Sequence, residues 1–155
     1  MNTGHTILNE IDKAFGSVPR PQRFTVEDGD PECMHHDKLL HSRTPDTLTI
    51  DDVGNGCSPL SECLPDGMAY FFPTLARLAL NDRRESHWFP FQLAWHLTYD
   101  GIENDFLNYC SDSQRSAVHA LFCHINESRS ERTVDECWYE EITECIRIWS
   151  ASSDA

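Results

Sequence analysis

The chain has 155 residues, 39% hydrophobic and 25% charged, and its 26 acidic against 12 basic side chains give a formal net charge of −14. That length suits one domain with a buried core, and the apolar content is too high for a disordered chain. The charge argues against direct binding to nucleic acid or anionic membrane, and favours fast association with a basic protein.

From the N-terminus, Ile7, Leu8, Ile11 and Phe15 fall at helical spacing, and Gly16 followed by VPRP ends that helix. TVEDGDPE (25–32) reads as an acidic loop, followed by a short helix from about Pro31 to His41. In TPDTLTIDDVGNG, Thr49 or Thr47 can cap a single turn that carries Asp51 and Asp52 near its positive end. CSPLSECLPDG (57–67) is rich in turn formers and reads as irregular.

MAYFFPTLARLAL (68–80) supplies the central core element, with Met68, Phe71, Phe72, Leu75, Leu78 and Ala79 in one stripe. Pro73 within it either opens a second helix or kinks a continuous one. A further apolar helix starts near Pro90, with Gly101 shortly past its end. Ser111 and Gln114 form a capping box for a helix reaching about Ser128, whose buried stripe is Val118, Leu121, Phe122 and Ile125. The last helix repeats the pattern with Val134, Trp138, Ile142, Cys145 and Trp149. No alternating run is long enough for a strand. The expectation is an all-α, single-domain fold of about five to seven helices over residues 1–155. Its core runs over about 5–150, with an irregular region in the first half and a flexible tail at 151–155.

No apolar run approaches the roughly 18 residues that span a bilayer, and MNTGHTILNEIDKAF lacks the pattern of a signal peptide. A cytoplasmic location is expected. The seven cysteines include no CxxC pair, so they read as buried apolar residues rather than a disulfide framework.

Two features bear on chemistry. ECMHHDKLLH (32–41) places Cys33, His36 and Asp37 at i, i+3 and i+4, types and spacing that can hold a metal. The remaining histidines form no HExxH signature, no GxSxG elbow or phosphate-binding glycine loop occurs, and the stretch reads first as a polar helix. No enzymatic activity and no cofactor are therefore expected. The second feature is the acidic face of the last helix, where Glu136, Glu140 and Glu144 recur every four residues. Asp51 and Asp52 are secondary candidates, and Trp88 at the start of HWFPFQLAWH is an expected exposed aromatic anchor for a partner.

DKAFGSVPRP, DTLTIDDVGN, AYFFPTLARLAL and SQRSAVHALFCHI, in this order, resemble an uncharacterised family of small bacterial proteins, catalogued as a domain of unknown function. The resemblance runs from about Ile7 to Trp149, and SVPRP and AYFFPTLARLAL are its specific parts. It includes a cysteine and an HD pair at Cys33, His36 and Asp37. It implies an immunity protein that neutralises a cognate basic toxin, of nuclease type, from an interbacterial secretion system such as type VI. The alternative is a metal-binding enzyme or metal-stabilised regulator built on Cys33, His36 and Asp37.

Overall fold

Proline and short polar side chains set where helices begin in this chain. The computed structural model describes residues 3–84, 86–128 and 136–150. Helix α1 spans Thr3–Phe15, and Gly16 stops it because a Cβ there would lie 2.3 Å from the Asp12 carbonyl oxygen. Helix α2 spans Pro31–His41, with Pro31 at its first position and the Asp30 carboxylate accepting from the Glu32 N–H. Helix α3 is the single turn Ile50–Val53, where the Asp52 carboxylate reaches back to the Thr49 N–H at 2.9 Å. Ser58 then caps a 3-10 turn at Pro59–Glu62.

Helix α4 spans Pro65–Asn81 as one continuous element with Pro73 inside it. Its burial outweighs the lost hydrogen bond, since Phe71, Phe72, Leu75 and Ala76 around the proline are fully buried. Helices α5 (Phe89–Thr98), α6 (Asp105–Tyr109), α7 (Asp112–Ser128) and α8 (Glu136–Trp149) complete the chain. The capping box of α7 forms as the sequence predicts: the Ser111 N–H donates to Gln114 Oε1 at 3.0 Å, and the Gln114 N–H to Ser111 Oγ at 3.2 Å. Among the described residues the fold is all-α, and the one extended pairing is an isolated bridge between Thr25 and Cys63. Val134 and residues 151–155 lie outside the described residues.

The helices pack in a closed ring, α4 on α1, α1 on α7, α7 on α8, α8 on α5 and α5 back on α4. Its interior is aromatic. Phe72 meets Phe15 at 4.9 Å and Phe106 at 5.6 Å, and Phe106 meets Trp149 at 5.5 Å between ring centroids. The one polar atom of Trp149 is satisfied, since its indole N–H donates to the Leu97 carbonyl at 3.0 Å.

Helix α2 and the 3-10 turn pack on each other outside this ring. Phe24, fully buried, fastens them by lying against Phe71 at 5.3 Å. Arg20 accounts for the end of α2: its guanidinium donates to the His41 and Arg43 carbonyls at 2.7 and 2.9 Å and lies over Phe24 and Tyr70. A cation at that end also complements the helix dipole. No described helix is long and apolar enough to cross a membrane.

Candidate functional site

The stretch 32–41 forms the expected helix, but its three metal-ligand types diverge. Cys33 and His36 are buried on α2. Asp37 points to the loop before the helix, where one of its oxygens accepts from the Phe24 and Thr25 N–H groups at 2.8 and 3.1 Å. The other oxygen lies 3.4 Å from His41 Nε2. Asp37 is thus a backbone anchor for the outer layer. Cys33 groups with Asp28 and Asp30, while His36 groups with Glu32 and Glu62. Burial, then Asp28, Glu62 and Asp30, push the Cys33 thiol up. The set Cys33, His36 and Asp37 therefore does not converge on one ion.

The partner-facing candidates also separate. Trp88 corrects the sequence expectation: it is fully buried, 5.1 Å from the Trp138 ring, and offers no surface to a partner. Asp52 is held by Arg43 through two bonds of 2.9 and 3.0 Å. Burial pushes its carboxyl up, but Arg43 and Thr49 outweigh that and keep it below the usual carboxylate range. Asp51 beside it is exposed. On α8, Glu140 is exposed, whereas Glu144 takes two bonds from Arg147 at 2.9 and 2.6 Å. The side chain of Glu136 lies outside the described residues, as do Glu131 and Asp135.

What the structure builds instead is a groove of about 400 Å³ between the outer layer and the ring. One wall comes from Val26 and the segment Leu60–Pro65, the other from Trp95, His96, Tyr99, Asp100, Asn104 and Asp105. Trp95 is 47% exposed and Tyr99 62%, with their rings 5.9 Å apart. Glu62, Asp100 and Asp105 line the same groove, and among the described residues no lysine or arginine does. Burial drops His96 to about 4, so its ring is uncharged at neutral pH.

The ring-side wall is fixed from within. Asn104 is 5% exposed; its amide donates to the His96 and Tyr99 carbonyls at 3.0 Å each, and its oxygen caps α6 through the Leu107 N–H. Asp100 and Gly101 both take positive φ, 63° and 57°, which turns the chain sharply between α5 and the wall's second half. The outer wall is held by the Leu64 N–H donating to the Phe24 carbonyl at 2.7 Å.

The sequence itself carries a signal for an exposed aromatic at Trp95. The buried positions of α5 are 89, 90, 93, 94 and 97, so Trp95 falls off that stripe, and Tyr99 follows as the residue that caps the helix end. No protein-family model, curated protein or solved structure matches the chain. The resemblance to the bacterial family therefore rests on the sequence segments alone.

Proposed function

We propose that this chain is a non-enzymatic binding protein that grips a basic protein in the groove between α5 and residues 60–65, as an immunity protein does a nuclease-type antibacterial toxin. One observation carries this reading. An exposed Trp95–Tyr99 pair sits in a groove whose charged lining is wholly acidic. Exposed aromatics supply the apolar contact area that dominates interface energies. The carboxylates select for lysine and arginine, and the formal charge of −14 speeds encounter with a cationic partner. A nuclease must hold phosphates with basic groups, so an acidic protein can compete for that surface. The reading built on Cys33, His36 and Asp37 as one metal centre lacks this support, because those side chains part.

The test starts with immobilised full-length protein in a lysate of its own source cells at low salt, followed by mass spectrometry. The expected capture is a basic protein whose toxic activity the chain suppresses at one-to-one stoichiometry. Suppression should weaken at least tenfold in Trp95→Ala/Tyr99→Ala, since truncating a central aromatic costs about 2 kcal/mol or more. Asp100→Lys/Asp105→Lys should slow association by about tenfold and flatten its salt dependence. If these variants protect as well as the parent while Glu140→Lys does not, the interface is the α8 face and the groove is not the site.

A further inference from the structure

We propose that Glu32, His36 and Glu62 form a binding site for a divalent first-row transition ion, of which zinc is the reference case. Glu32 and His36 are four apart on α2 and so share one face, and Glu62 comes from the 3-10 turn packed against it. Their ligand atoms all lie within 4.8 Å of one another. A shell of bonds about 2.0–2.2 Å long places its ligand atoms no more than about 4.4 Å apart, so small rotations close this set on an ion. Imidazole with carboxylates suits zinc and its neighbours better than calcium or magnesium, which take oxygen alone.

Three observations separate this set from an ordinary surface cluster. His36 is 5% exposed, and its ring has Glu62 as its one hydrogen-bonding partner among the described residues. Neither Glu32 nor Glu62 pairs with a lysine or arginine among the described residues. In the adjoining group of Asp28, Asp30 and Cys33 the carboxylates are already taken up by backbone: Asp28 accepts from the Asp30 N–H at 2.9 Å and Asp30 from the Glu32 N–H at 2.8 Å.

The backbones that carry the set are fixed. Pro31 and the Asp30 cap set the first turn of α2, Ser58 caps the 3-10 turn, and the Thr25–Cys63 bridge ties the loop before α2 to the residue after Glu62. The Glu62 side chain is 26% exposed, which leaves it room to swing back and admit an ion beside the imidazole. Three protein ligands leave at least one coordination position for water. An ion there would pin α2 to the groove's outer wall, a consequence independent of what the groove binds.

The experiment is titration of untagged, metal-stripped full-length protein with Co²⁺ and Zn²⁺, read by visible absorption and calorimetry. The expected result is one-to-one binding, a cobalt spectrum without the intense charge-transfer band of a thiolate ligand, and a rise in Tm on loading. Glu32→Gln is exposed and should fold as the parent does, yet weaken binding about 10–100-fold, the loss typical when a site's ligands or their supports are altered. Glu62→Gln should do the same, whereas Cys33→Ser should leave affinity within about twofold of the parent. The proposal is overturned if no saturable binding occurs up to millimolar metal. It is equally overturned if a thiolate band appears and vanishes in Cys33→Ser, or if Glu32→Gln and Glu62→Gln bind as the parent does.

Discussion

Asp82→Ala is expected to be among the costliest single changes in this protein, though Asp82 lies in a loop. The carboxylate is 3% exposed and sits between the end of α4 and the start of α5. It accepts from the Phe89 N–H at 2.8 Å, the Arg84 N–H at 3.1 Å and Arg84 Nε at 3.0 Å. Arg84 in turn donates to the Gly54 and His87 carbonyls at 3.3 and 3.0 Å, so one carboxylate ties the α4–α5 connection to the loop at Gly54. Truncation leaves a buried N–H at Phe89 without its acceptor, about 1–3 kcal/mol, and breaks a largely buried ion pair, about 3–5 kcal/mol. The two costs overlap, and Arg84 keeps its carbonyl contacts, so the expected loss is about 3–4 kcal/mol. With a urea m-value of about 2 kcal/mol/M, the unfolding midpoint falls by about 1.5–2 M. Tryptophan fluorescence during urea titration reads this directly. Asp82→Asn keeps one acceptor oxygen and should lose about half as much.

The same carboxylate carries a pH signature. Burial pushes Asp82 up, but Arg84 and the Phe89 and Arg84 N–H groups outweigh it and hold the folded value below the usual range. Its contribution is therefore complete above the unfolded value of about 3.9 and is lost as pH falls through the folded one. Parent and Asp82→Asn midpoints should draw together as pH falls below the unfolded value and through the lower folded one. A midpoint change under about 0.5 M for Asp82→Ala, with m unchanged, would refute the claim that this network organises the start of α5.

Two further outcomes follow from particular residues. His96 sits in the groove at about 4 in the folded chain, lowered by burial, against about 6.5 unfolded, so the fold favours the neutral ring. Stability should decline as pH falls from about 6.5 to about 4, by at most about 3 kcal/mol, and His96→Gln should remove that slope in urea titrations across the window. Gly67→Ala would put a Cβ 2.9 Å from Cys63 Sγ and 3.0 Å from Phe24 Cδ1. It should cost about 1–3 kcal/mol by overpacking, and Cys63→Ala in the same chain should recover part of that loss in a double-mutant cycle.

The fold was legible where a local rule governs. The bounds of α2 at Pro31 and His41 and the Ser111–Gln114 capping box depend on neighbours in sequence, and both stand as read. Pro73 was ambiguous locally because its cost is set by burial of the surrounding turn, which only the ring supplies. Trp88 misled for a different reason. It precedes α5 in a non-helical cap conformation (ψ 119°), so helical periodicity is a poor guide to it, and the Trp138 ring it packs against lies fifty residues away. Likewise Glu62 meets His36 across 26 residues, a pairing no spacing rule could supply. Composition correctly flagged an acidic chain, but it could not choose between the α8 face and a groove built from three separate segments.

The outer layer of α2 and the 3-10 turn joins the helical ring through Phe24 against Phe71, Arg20 against Tyr70, and the buried Leu40 and Leu60, which belong to the same core. The groove straddles that seam, since Val26 and Leu60–Pro65 belong to one side and Trp95 and Tyr99 to the other. Whatever occupies it acts as a rivet through two plates. Each molecule bound there adds part of its binding free energy to the joint between the two sides.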